Sequence, residues 1–397
     1  MGSAKNLLQF ELGFSMKTIW ILTLMSFLVI NANAVETQDE IEVLDLASML
    51  IQNNNYTRAE ATLRRVQDPN DVQTDRFYLL KGILAQKQSR IQESLKMLEL
   101  AKKNKIEDQY KALFFETMAK SLVLNKQFKE ALKLLDLNKK ILVNRPLYYQ
   151  VKSESLVKIN QAEEGWEVLG KGIQKFPKHL GLFKQKWFYL FSSSLYLASK
   201  EYLFANIHNL KFSGLDLAKF AYQYRSVKQL KTAAELGEMA RMIAPSNEDV
   251  GKELARIYIE KGEIFSAATV FEDLARFKPK LIADASELWR KAGYFAHSER
   301  LALKIPEMDK AVKQKMTLAL QEQNFARISS LAKLVDRGEL RKDEDVVYTL
   351  AYSFFMLGDF TKAEKYLTNI TRKDLLTKSL SLRKTMEECS QEIGACL

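Results

Sequence analysis

Small side chains return every 34 residues through the middle of the chain, and large apolar ones keep step with them. Gly165, Ser199, Ala233 and Ala267 share one phase, Ser153, Ala221 and Ala255 a second, and Leu156, Leu190, Tyr224 and Tyr258 a third. Prolines mark the same frame. Windows of 34 counted from Pro146 put Pro177, Pro245 and Pro279 at one slot, with Lys211 holding it in the window between. A period of this length signals one supersecondary unit used repeatedly, and a pair of amphipathic helices needs neighbours to cover its apolar face. The pattern therefore predicts stacked helical hairpins. Only 15 Gly and 6 Pro in 397 residues leave little material for turns, which suits long helices.

This pattern resembles the tetratricopeptide repeat (TPR) family. In Ser246–Lys280, Leu254-Ala255, Tyr258, Gly262, Ala267, Phe271 and Pro279 stand at that family's spacing, with Gly251 in place of its early tryptophan. A second window over 346–370 carries Ala351, Phe354, Gly358, Phe360, Ala363 and Leu367. The small residues have a physical reason: two antiparallel helices cross tightly only where a facing side chain is small. Echoes of the pattern extend both ways, through Tyr56-Ala59, Ile91-Ser94 and Phe128-Ala131, with Ala47, Gly82 and Ala119 on the preceding helices. Phe325-Ile328 and Tyr294-His297 are fainter echoes, the latter in a shortened unit. The resemblance implies an all-α, right-handed α-solenoid of about ten TPR-like hairpins, running as one continuous domain over 35–377 and closed by a capping helix and tail over 378–397. Trp187 departs from the pattern, since it fills a slot that wants a small residue. The hairpin over 180–213 is expected to be splayed, shifted in register or differently packed.

The first 34 residues read differently. From Met16 come Lys17, a twelve-residue apolar run over Ile19–Ile30 and the Ala32-Asn33-Ala34 tripeptide, the layout of a secretory signal peptide. That run is shorter than the roughly 20 residues needed to span a bilayer. The mature chain is thus expected to begin at Val35 in the periplasm or cell envelope of a bacterium, residues 1–15 being an overextended start; an uncleaved inner-membrane anchor is the alternative. Cys389 and Cys396 are the only cysteines. On an unbroken helix their seven-residue separation rises about 10.5 Å, beyond the roughly 4.4–6.8 Å a disulfide allows, but Gly394 could break the helix. A bridge and two free thiols both stay open.

The net charge is +11, unevenly placed. Residues 35–75 hold nine acids and three bases (−6), whereas residues 76–212 hold 25 bases and 12 acids (+13). A basic middle suits protein partners with acidic segments, or an anionic membrane or cell-wall surface, and export would keep it from nucleic acid. Little in the chain carries chemistry. His179, His208 and His297 are isolated, there is no HExxH, no phosphate-binding glycine loop and no serine elbow, and Glu163-Glu164 and Glu387-Glu388 are adjacent pairs that point in different directions on a helix. No catalytic residue, metal or cofactor is expected.

Recognition is left to the surface. In the resembling family the first helix of each hairpin lines a concave groove, and carrying those positions over gives Glu116, Lys120, Glu154, Lys158, then Lys184, Phe188, Phe191, Tyr222, Arg225, Lys252 and Arg256. The run from Lys184 to Arg256 is a ladder of bases and aromatics suited to an extended acidic-aromatic segment. Phe188 and Phe191 could instead pack between repeats. The expected function is a non-enzymatic interaction scaffold of the envelope, with adsorption to membrane or cell wall through the basic middle as the alternative.

Overall fold

The computed structural model describes residues 43–391, so the signal-peptide segment and Cys396 lie outside the described residues. Among the described residues every regular element is helical. The chain divides into two compact units between Leu210 and Lys211, whereas the sequence reading runs a single domain through this point.

The first unit holds five hairpins. They are a helix over 43–52 (α1) with Tyr56–Leu63 (α2), Thr74–Lys87 (α3) with Ile91–Lys103 (α4), Asp108–Leu124 (α5) with Phe128–Leu137 (α6), Pro146–Lys158 (α8) with Ala162–Lys175 (α9), and Leu180–Ser192 (α10) with Tyr196–Asn206 (α11). A single turn over Lys139–Leu142 (α7) follows α6. The second unit holds five more: Gly214–Ser226 (α12) with Leu230–Ile243 (α13), Glu248–Lys261 (α14) with Ile264–Phe277 (α15), Ile282–Lys291 (α16) with Phe295–Ala302 (α17), Met308–Gln321 (α18) with Phe325–Ser330 (α19), and Glu344–Met356 (α21) with Phe360–Leu367 (α22). Ala332–Arg337 (α20) extends the fourth of these, and Lys373–Gln391 (α23) caps the last.

One turn geometry closes all ten hairpins of the described residues. Asn54, Ser89, Lys126, Asn160, Ser194, Lys228, Gly262, Gly293, Gln323 and Gly358 each sit between the two helices with φ of 54–85°. The next residue's N–H donates to the carbonyl five positions back at 2.8–3.0 Å, from Asn55→Leu50 to Asp359→Phe354. This is the Schellman arrangement, which satisfies carbonyls left over at a helix end. Measured from that left-handed residue, the small slot on the first helix lies seven back and the one on the second helix five ahead. The first row is Ala47, Gly82, Ala119, Ser153, Trp187, Ala221, Ala255, Ser286, Met316 and Ala351, and the second is Ala59, Ser94, Ala131, Gly165, Ser199, Ala233, Ala267, Ser298, Ile328 and Ala363. All twenty are buried. The frame moves the eighth hairpin's echo by one residue: Phe295-Ser298, not Tyr294-His297, holds the slot.

Close approach at these slots is direct. The Ser94 hydroxyl donates to the Gly82 carbonyl at 2.8 Å, and Ser286 and Ser298 donate to each other's carbonyls at 2.8 and 2.7 Å. Gly251 has a different reason. A Cβ there would stand 2.4 Å from Leu274 Cδ1, so the leucine of α15 occupies the volume that a larger side chain at 251 would need. The hairpin carrying Trp187 keeps the common turn at Ser194, so its register is not shifted. Its packing is what differs: Trp187 stacks on Phe191 at 5.0 Å, and Phe183 of α10 stacks on Tyr202 of α11 at 4.7 Å. Ring pairs from Phe183 to Tyr202 and from Phe191 to Tyr196 join these two helices.

The cap α23 starts at Lys373, five residues before the expected boundary at 378. Its Leu375, Leu382 and Met386 complete the core formed by Leu350, Phe354 and Leu367. Cys389 near its end is disulfide-bonded; the geometry of a pairing with Cys396 falls outside the described residues.

Candidate partner-binding face

The constant turn fixes which side chains of each first helix look away from the second. Counting back ten, six, three and two positions from the left-handed residue gives the face on which the sequence-derived candidates lie. Lys184, Phe188 and Phe191 belong to the first unit, and Tyr222, Arg225, Lys252 and Arg256 to the second. The seven therefore form two separate sets, each described within its own unit.

In the first unit Phe188 is 56% exposed and available to a partner, while Phe191 is only 8% exposed. Phe191 packs against Trp187 and Tyr196, so it belongs to the core of its hairpin and leaves the candidate face. Lys184 is half-buried on α10.

In the second unit the expected ladder of bases is matched by acids of the same chain. Arg225 donates through Nε to Glu253 at 2.7 Å and through Nη1 to Glu260, with its side chain 17% exposed and that of Glu253 8%. The Glu253 and Glu260 hydrogen bonds hold the guanidinium pKa above its already high ordinary value. Glu260 also accepts from Lys228 at 2.8 Å, and the Lys228 and Arg225 hydrogen bonds hold its carboxyl below the usual range. Lys252 pairs with Glu248 at 2.7 Å, and Glu248 takes Lys280 as well at 3.0 Å. Arg256 remains largely exposed and lies 3.6 Å from Glu253. Arg225 also stacks over the Tyr222 ring at 5.2 Å. Arg225, a base of the expected ladder, is thus not left for a partner: it ties α12 to α14, with a buried carboxylate depending on it.

Two parts of the face lie outside the ladder; Lys120, Glu154 and Lys158 were among the carried-over positions, while Lys87 and the aromatics of the tenth hairpin were not. In the first unit Lys87, Lys120 and Lys158 are exposed on α3, α5 and α8, and Glu154 lies half-buried among them. Burial raises the Glu154 pKa, against the opposing charges of Lys158 and Lys120. Neighbouring Glu116 is spoken for, accepting two hydrogen bonds from Arg145 at 2.6 and 2.8 Å. In the second unit the tenth hairpin presents Tyr348, Tyr352 and Phe355, which line a groove of about 400 Å³ with Thr377, Ser381 and Leu382 of the cap. Counting the same slots back from Gly358 finds all three, so the signal was present in the sequence.

His179 and His297 serve structure. His179 accepts the Leu182 N–H at 3.2 Å as the N-cap of α10, and burial lowers its pKa. His297 Nε2 shares the Glu272 carboxylate with Trp289 Nε1, each at 2.7 Å. Among the described residues no group of three or more His, Cys, Asp or Glu is placed to hold a metal, and no helix is long and apolar enough to cross a membrane.

No family model and no curated protein matches the chain. Among solved structures it is similar to one from a functional characterization of Pseudomonas aeruginosa pilF, at 14% identity and a TM-score of 0.38, covering 55% of this chain and 98% of that one. The human IFIT1 dimer with PPP-AAAA is similar at 15% identity and a TM-score of 0.32, covering 82% of this chain and 88% of that one. A monomeric IFIT1 mutant with Gppp-AAAA is similar at 15% identity and 0.33, over 82% and 89%.

Proposed function

We propose that this chain is a non-enzymatic scaffold that holds protein partners along the exposed faces of its first helices. One observation carries the reading. The slots six or three before the turn present solvent-facing aromatic or apolar side chains, Phe188, Tyr222, Ile259 and Leu320, on four of the five hairpins from the fifth to the ninth, where a monomeric helical fold gains nothing from them. On this reading the scaffold works in the cell envelope of a bacterium, which the signal-peptide layout of the sequence over 16–34 supports. Adsorption of the basic first unit to an anionic membrane or cell wall is the second reading, favoured by the +13 of residues 76–212.

Photo-crosslinking from positions 188, 222 and 259 in envelope extracts, read by mass spectrometry, tests the scaffold. Discrete protein adducts are expected at the exposed slots and not at 191. Adducts only to lipid or glycan would replace it with the adsorption reading. The same spectra report the first residue of the native chain, expected at Val35.

A further inference from the structure

Resting on that reading, we infer that the first unit clamps an extended acidic polypeptide segment with Lys87, Lys120 and Lys158. The argument is a census of counter-ions. In the second unit the cations of the first-helix face already have acids: Arg225, Lys252 and Arg290 lie 2.7, 2.7 and 2.8 Å from carboxylates, and Lys313 pairs with Asp343. In the first unit no carboxylate of the described residues comes within 4.0 Å of Lys87, Lys120 or Lys158. Glu154 is the acid among them, and its field reaches Lys120 and Lys158 without an ion pair to either, so three bases and one acid leave +2. The surrounding protein desolvates the Lys120 ammonium and Lys87 repels it, and both lower its pKa. The attraction of a carboxylate from outside offsets both.

The spacing points to a polypeptide. Lys87, Leu124 and Lys158 hold one slot, two residues before the turn, on three successive hairpins, and Leu124 is exposed. Neighbouring helices pack about 8–10 Å apart, and a polyproline II segment rises about 3.1 Å per residue with about three residues per turn, so that every third side chain returns to one face. An acid, an apolar side chain and a second acid at every third position therefore fall on Lys87, Leu124 and Lys158. Lys120, one turn back from Leu124, takes a further carboxylate beside them.

The test uses the full mature chain and a fluorescein-labelled peptide with Glu, Leu and Glu at every third position, read by anisotropy. The variant K87Q/K120Q/K158Q is expected to raise Kd at least tenfold. K102Q/K103Q/K105Q removes the same charge from the same unit but away from this face, and is expected to raise it less than threefold. Circular dichroism checks that both fold; should the triple variant fail to, Lys120→Gln alone is expected to weaken binding at least threefold. Equal losses in the two triples, no loss at the lysine clamp, or no binding by the unaltered chain overturns the inference. The scaffold reading falls only by the crosslinking result, so the two can fail separately.

Discussion

Seven of the ten hairpin turns among the described residues hold a left-handed residue other than glycine, Lys126 and Gln323 among them. Each such side chain presses its Cβ toward the following carbonyl, a strain of about 1–2 kcal/mol that glycine avoids, against a smaller entropic cost of glycine in the unfolded chain. Lys126→Gly and Gln323→Gly should each stabilise by about 0.5–1 kcal/mol, and Gly262→Ala should destabilise by a similar amount, all readable as thermal midpoints. At Arg225 the reasoning is electrostatic. Arg225→Ala strands Glu253 in a buried site and should cost about 2–3 kcal/mol, whereas Arg256→Ala removes a mostly exposed partner and should cost less than about 1 kcal/mol. Equal midpoints for the two variants would contradict this assignment. Glu154 gives a pH signature. Its raised pKa means that the folded chain holds this proton more tightly than the unfolded one, so stability falls as pH climbs above the ordinary carboxylate value. Glu154→Gln should therefore stabilise at neutral pH, with the gain vanishing once both states are protonated, near about pH 3.

At the level of hairpins, paired volumes decide which helix fits which. Eleven residues before the turn and twelve after it, Tyr149 meets Gly172 in one hairpin, and Gly251 meets Leu274 in another with the sizes exchanged. Gly251→Leu alone should overpack the crossing by about 1–3 kcal/mol, Leu274→Ala alone should lose about 2–4 kcal/mol to a cavity, and the double variant should recover most of both losses. Additive losses in denaturant melts would show that the two side chains do not share one space. Most of this level was legible in the sequence, because small residues recur seven before and five after the turn in all but two of the ten hairpins, those of Trp187 and of Met316 with Ile328. The eighth hairpin slipped by one, since its turn comes 31 residues after the last rather than 34. The candidate face was legible only in part. Slot counting identified which side chains face outward, but the carboxylates that neutralise Arg225 sit 28 and 35 residues further along, and only folding brings them to it. For Phe191 the sequence left both packing and groove open, and the neighbouring Trp187, against which its ring stacks, decides for packing.

For the whole molecule the division at Leu210 is the organising fact. Each unit has its own core clusters, Phe77 with Leu80 and Phe114 with Leu135 in the first, Leu254 with Leu288 and Leu350 with Phe354 in the second. Residues 35–210 and 211–397, expressed separately, should each give a helical spectrum and a cooperative thermal transition. A fragment that melts without cooperativity would show that the cores are completed only in the intact chain. The uniform turn has a consequence for how such a chain can change length. Cutting from one left-handed residue to the next removes the second helix of one hairpin and the first of the following, and leaves a hairpin with the same closing bond. The backbone thus offers ten equivalent splice points, and a lineage could gain or lose repeats without inventing a new turn. The exchange of sizes at Gly251 and Leu274 withholds that freedom at one place. Deleting 229–262 would join α12 to α15 and set Leu217 against Leu274 where only one large side chain fits. Inherited length variation should therefore avoid that cut and collect at the others.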